Sequence, residues 1–201
     1  MRGGVCVVAV AAGLTLTAGA SAIDSTIVPG RGIGNVKLGM TLPQVERVLG
    51  KDHIGNTETI VDDARYRELA WNFSTWTVGF LRRGFDWRVV QVETTLSPQW
   101  TTTGIGVSSP FKRVVKSYPH VFCNGIYSTW GLNYTRRWET SLILVDRSVF
   151  TAFAVKPSTY GDGKSTWRVY AVIVQQAVPG HTSLTPSSYR CSPGWRERGR
   201  P

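Results

Sequence analysis

The 201-residue chain has little charge, little sulfur and few imidazoles. Only 18% of its residues are charged, and 13 Asp and Glu stand against 23 Lys and Arg, a net charge of +10. A charged fraction this low, with 11% aromatics, excludes a disordered tail and a coiled coil. Two Met, 3 His and 3 Cys leave little for thioether or imidazole chemistry. The sequence has no Gly-x-Ser-x-Gly elbow and no phosphate-cradling Gly-x4-Gly-Lys-Ser/Thr loop, so two motif-borne routes to catalysis are missing. It also has no Cys-x-x-Cys, and His120 beside Cys123 and His181 before Cys191 lack the spacing of usual ligand pairs. Long apolar runs are absent, with one partial exception.

That exception opens the chain. Arg2 precedes the apolar Val5-Cys6-Val7-Val8-Ala9-Val10-Ala11-Ala12, and Ala18-Gly19-Ala20-Ser21-Ala22 closes the segment. A basic start, a short apolar centre and a small-x-small finish predict a secretory signal peptide over residues 1–22. A membrane anchor is the rival reading. The strictly apolar stretch is short for a bilayer, and Thr15, Thr17 and Ser21 make the rest of the segment more polar. No Cys stands at the expected cleavage point for a lipid anchor, so the expectation is a secreted, extracellular protein. Cys6 would leave with the signal, and Cys123 and Cys191 would then form one disulfide in an oxidising compartment. Closing about 67 intervening residues is worth on the order of 4 kcal/mol.

What the chain does have is glycine, aromatics and internal similarity. Gly32-Ile33-Gly34-Asn35-Val36 recurs as Gly104-Ile105-Gly106-Val107. After the first, Thr41 can cap a helix with Pro43 in its opening turn, Leu42, Val45 and Leu49 on one face and Gly50 as the stop. After the second, Ser108 or Ser109 can cap, Pro110 suits the first helical position, and Phe111, Val114, Val115 and Tyr118 share a face before Pro119. Alternating strand patterns come after each helix, at Leu69 to Phe73, Trp76 to Phe80, Trp130 to Tyr134, Leu142 to Val145 and Val149 to Val155. Trp87-Arg88-Val89 also recurs, as Trp167-Arg168-Val169. Two matches in the same order predict an α+β fold. It is a tandem repeat of a short helix followed by antiparallel strands, with the helices packed on one face of a curved sheet. The expected boundaries are an N-terminal extension over 23–31, repeats over 32–95 and 104–177, and a basic Pro/Ser/Gly-rich tail over 178–201.

Gly34-x-Val36-x-Leu38-Gly39-Met40-Thr41, with Val45 and Leu49-Gly50 after it, resembles the helix motif of the SmpA/OmlA (BamE-like) and beta-lactamase-inhibitor-protein-like superfamily. Gly104-Ile105-Gly106-Val107-Ser108-Ser109 with Tyr118-Pro119 resembles the second-repeat version in secreted actinobacterial relatives. The resemblance implies a small layered fold used for protein binding or envelope assembly, with no shared catalytic residues. The lipid-anchor Cys of BamE-like members is missing here.

Neither catalysis nor a cofactor is expected. Asp62-Asp63 near Glu58 reads as a solvated connector, and His53 beside Asp52 as an exposed loop histidine. The 8 Trp are more informative. Large aromatics on a sheet usually serve the core, yet a sheet covered on one side leaves the other open. Trp, Tyr and Arg on such a face suit protein binding, which makes Trp76, Trp87, Arg88, Trp167, Arg168 and Tyr170 the candidate binding residues. Strand alternation puts apolar residues on both faces here, so the pattern alone does not choose the buried one. The charge, including Arg82-Arg83, Lys112-Arg113 and Lys116, suits an anionic cell-wall polymer, a membrane surface or an acidic protein better than nucleic acid in an exported chain. The leading expectation is a secreted, non-enzymatic protein-binding module; an envelope component held by charge is the alternative, and a hydrolase without a recognisable motif is the weakest.

Overall fold

Tight turns fold most of this chain into hairpins. The computed structural model describes residues 26–61, 64–97, 99–124, 140–146, 148–159 and 165–177. In chain order these form β1 (Ile27–Val28), β2 (Gly32–Ile33), β3 (Val36–Lys37), α1 (Leu42–Leu49), β4 (His53–Val61), β5 (Ala64–Trp71), β6 (Trp76–Arg83) and β7 (Asp86–Thr94). Then come α2 (Phe111–Ser117), β8 (Phe122–Asn124), β9 (Thr140–Asp146), β10 (Val149–Thr159) and β11 (Ser165–Gln176). The first three strands pair in a small antiparallel sheet. The other eight form one antiparallel sheet in the order β4-β5-β6-β7-β11-β10-β9-β8, two meanders that meet where β7 pairs with β11.

This corrects the α+β expectation. Strands hold 57% of the described residues, whereas the helices run only 8 and 7 residues. The chain is a predominantly antiparallel β protein, not a tandem helix-plus-strands repeat. The physical reason is length: two turns of helix cannot hold themselves in water, and these two persist only because the sheet buries one stripe of each. The extension expected over 23–31 is likewise part of the body from Thr26 onward, since Ile27 N donates to Trp100 O at 2.8 Å and β1 pairs with β2. The signal segment, Trp130 to Tyr134 and the basic tail lie outside the described residues.

Helix α1 forms where its periodicity places it. Gln44 Oε1 accepts from the Thr41 backbone N at 2.7 Å, Gly50 at φ +90° ends the helix, and Val45 is fully buried. For α2 the sequence reading is one residue out. Pro110 is the N-cap, and Ser109 Oγ instead accepts from Gly106 N at 3.0 Å. β5 stops at Trp71, because Asn72, Phe73 and Ser74 take successive left-handed conformations at φ 48°, 54° and 65°.

Register sorts the large sheet into two faces. On one, Leu69, Val78, Val92, Val174, Thr151 and Leu144 lie side by side across six strands. Val45 of α1, Phe111, Val114 and Val115 of α2, and Ile27, Ile33 and Val36 of the small sheet share the core with this face. The opposite face carries the row Ala70, Thr77, Glu93, Ile173, Ala152 and Ile143. No described helix packs there, and its apolar residues form two separate groups, Tyr66, Leu81 and Val90, and Ile143, Phe150, Ala152 and Ile173.

Candidate functional site: the two faces of the large sheet

The recurring Trp-Arg-Val segments sit where β7 and β11 part. The two strands pair only over Gln91–Thr94 and Val172–Gln175. Next to that stretch each strand carries one extra residue, Val90 opposite the Gly79/Phe80 step and Tyr170 opposite the Ala154/Val155 step. A bulge of this kind bends its strand and raises the local twist, so β7 and β11 splay apart. The segments entering the helices fill the gap. Gly39 N donates to Val89 O and Val89 N to Met40 O, both at 2.8 Å. On the other strand Ser108 N donates to Val169 O at 2.7 Å and Val169 N to Ser109 O at 2.9 Å. The arginines complete each joint: Arg88 Nη1 donates to Gly39 O at 3.3 Å, and Arg168 Nη1 to Ser108 O at 2.8 Å.

These contacts reassign most of the candidate binding residues. Trp76 is 1% exposed and lies in the helix-side core, so it presents no surface. Trp87 and Trp167 are half-buried against the same core, and the Arg67 guanidinium lies 4.5 Å over the Trp87 ring. Arg88 is engaged by Asp86 at 2.8 Å as well as by Gly39, and Arg168 is anchored on Ser108. Tyr170, the bulge residue, is half-buried under Lys156 Nζ, 4.9 Å from its ring. The motif that suggested recognition therefore acts as a pair of clamps between sheet and helices. The six residues do not converge on one surface.

The opposite face assembles a polar group that the sequence reading missed. Tyr66 Oη donates to Glu68 Oε2 at 3.2 Å, and the phenol lies across Gly79 so closely that any Cβ there would collide with it. Glycine at 79 is thus required by the approach of Tyr66, not by its backbone angles. Burial pushes the Glu68 carboxyl above its usual range, against the pull of the Tyr66 hydrogen bond. The Tyr66 hydroxyl is driven well above the usual tyrosine range by burial first, then by the charges of Glu68 and Glu93. Alternation through Arg65-Tyr66-Arg67-Glu68 was the available signal, since it separates the arginines from the Tyr-Glu pair.

Other sequence candidates fall elsewhere. His53 Nε2 lies 3.4 Å from Glu46 Oε1, with its ring edge-on to Trp71 at 5.0 Å, so it joins the end of α1 to β4. Cys123 is 4% exposed in β8, while Cys191, Asp62 and Asp63 lie outside the described residues. Among the described residues no group of three or more His, Cys, Asp or Glu is placed to hold a metal ion, and no helix is long and apolar enough to cross a membrane.

Among the described residues, the most exposed large apolar side chains lie on the first meander, with Trp100 beyond it 37% exposed. Phe73 is 95% exposed in the β5–β6 turn and Phe85 is 96% exposed in the β6–β7 turn, with Ile54 and Ile60 of β4 also turned to solvent. The Phe73 turn is braced: Thr75 N and Oγ1 both donate to Asn72 O, and Thr75 O accepts from Thr95 N and Thr94 Oγ1. A bulky residue in left-handed backbone costs of order 1–3 kcal/mol and persists only where its surroundings hold it.

No family model matches the chain, and no curated protein matches it. Among solved structures, the uncharacterized protein YfeY from Escherichia coli is similar, at 12% identity over 74% of this chain and 99% of that one, with a TM-score of 0.40. A likeness that distant carries no functional weight. Nothing in these comparisons supports the resemblance to the SmpA/OmlA and beta-lactamase-inhibitor-like superfamily, so function is argued from the residues alone.

Proposed function

We propose that this chain is an exported, non-enzymatic binding protein, and that its first meander carries the recognition surface. One observation supports the reading: Phe73 and Phe85 stand almost fully exposed at opposite ends of neighbouring hairpins, Phe73 on a braced left-handed turn. Burying one such ring on a partner contributes roughly 1.5–3 kcal/mol, and a rigid turn loses little freedom on doing so. The tryptophans that the sequence pattern suggested for this role belong to the core, so recognition moves from the sheet face to the hairpin tips. We retain the Cys123–Cys191 disulfide within this reading, with buried Cys123 as one end.

The test is site-specific photocrosslinking in the exported fraction, with the probe at 73, 85 or the exposed control position Lys51. A single saturable adduct from 73 or 85, absent from 51, is the expected result. Phe73→Ser and Phe85→Ser in the unmodified protein should abolish that partner's binding and shift stability by no more than about 0.5 kcal/mol, the range of ordinary surface substitutions. Equal labelling from all three positions sinks the reading. A second reading, an envelope component held by its charge, is supported by a group of exposed cations among the described residues. Arg31, Lys37, Arg47, Lys51, Lys112, Arg113 and Lys116 are all exposed.

A further inference from the structure

We propose that the outer face of α2 binds a hydrated, flexible polyanion. This rests on the charge-held reading and names its surface and its ligand class. Helix α2 buries Phe111, Val114 and Val115, which leaves Lys112, Arg113 and Lys116 exposed on its outer side. Seven helical residues span about 10 Å, so three cations crowd a patch of that length.

Nothing described neutralises them. The ion pairs among the described residues are Glu46–His53, Glu58–Arg65, Glu58–Arg67 and Asp86–Arg88, and none reaches α2. The Arg113 guanidinium lies beside Gly104 at the entry to the helix, where a Cβ would stand 2.9 Å from its Nη2. Arg31, Arg47 and Lys51 are further exposed cations among the described residues.

The structure favours a polymer over a bilayer as the occupant. An amphipathic helix docks on lipid by inserting an apolar face. The apolar face of α2 is already committed to the core, so only charge is on offer. A flexible polyanion needs no insertion: accessible cations and the release of its counterions drive binding.

Long-chain inorganic polyphosphate is the probe, titrated into the purified chain from low to physiological salt. Affinity should fall linearly on a log–log plot against salt. The triple variant K112Q/R113Q/K116Q should bind at least tenfold more weakly at low salt, with the slope reduced by about two for three lost contacts. K116Q alone should cost about threefold, which keeps the test valid if the triple variant is unstable. R65Q/R82Q/R83Q removes the same charge from the far hairpins and should retain most of the affinity. Equal losses in both triples overturn the α2 site while leaving the charge-held reading standing. Absence of any binding overturns both. Tighter binding to vesicles of 30% phosphatidylglycerol than to polyphosphate overturns the polymer as ligand.

Discussion

The two faces of the large sheet use the same strands for opposite purposes. On the helix-bearing face, Trp71, Trp76, Phe80 and Phe153 are all buried to within 2% of complete enclosure, and they meet the apolar stripes of both helices. Across the sheet, small and polar residues (Gly79, Ala154, Ala171, Glu68, Glu93 and Gln175) are interspersed with two separate apolar groups, Tyr66 with Leu81 and Val90, and Ile143 with Phe150, Ala152 and Ile173. Large rings fill the space between the sheet and its helices, whereas the other face has no described layer to fill. The difference teaches that aromatic content alone does not mark a binding surface. Among the described residues, Trp71, Trp76, Trp87 and Trp167 pack into or against the core, whereas Phe73 and Phe85 at the turns are almost fully exposed.

Breaking the helix-bearing face should have the largest effect. Trp76→Ala removes a fully enclosed indole and should cost about 3–5 kcal/mol by urea unfolding, because the surrounding strands cannot collapse into the hole. A loss below about 1 kcal/mol would mean that the ring is not part of a close-packed core.

A smaller effect is expected on the opposite face, and it depends on one neighbour. Gly79→Ala sets a methyl group against the Tyr66 ring and should cost about 1–3 kcal/mol. In a Tyr66→Ala background the same substitution should cost almost nothing, since the colliding atoms are gone. Additive losses in this double-mutant cycle would show that Tyr66 does not lie over Gly79.

The smallest effect is electrostatic and depends on pH. Burial raises the Glu68 pKa in the folded chain above its unfolded value. Folded protein therefore holds the proton more tightly, and stability falls as pH rises from the unfolded carboxylate pKa through the raised folded one. Glu68→Gln cannot ionise, so its stability relative to the parent should improve across that window and level off above it. Urea midpoints measured from about pH 4 to 7 check this, and a parent-to-variant difference that stays flat would contradict it.

Several elements were legible from residue pattern alone. Thr41, Leu42, Val45, Leu49 and Gly50 mark α1 to the residue, because a capped, two-turn stripe is a local signal. Alternation placed the strands around Trp76, Trp87, Leu142, Val149 and Trp167 for the same reason. The fold class was not legible. Matching Gly-Ile-Gly and Trp-Arg-Val segments suggested a repeated helix-plus-strands unit, but they record two solutions to the same local joint, with Ile33 and Ile105 each buried between glycines and each Arg bonded to a carbonyl before a helix. The hairpin tip at Phe73 was hidden too, since its residues continue an alternating strand pattern until the backbone turns left-handed.

The excess of Lys and Arg and the scarcity of sulfur and imidazole were determined by composition, as were α1 and most strands by short-range periodicity. Only the tertiary structure decided which way the aromatics point. Alternation has a period of two and is blind to which face is covered, while the bulges at Val90 and Tyr170 shift it within a strand. Packing of helices against one face resolved that ambiguity. It took Trp71 and Trp76 inward, left Phe73 and Phe85 in solvent, and left Lys112, Arg113 and Lys116 of α2 exposed and outside the ion pairs found among the described residues.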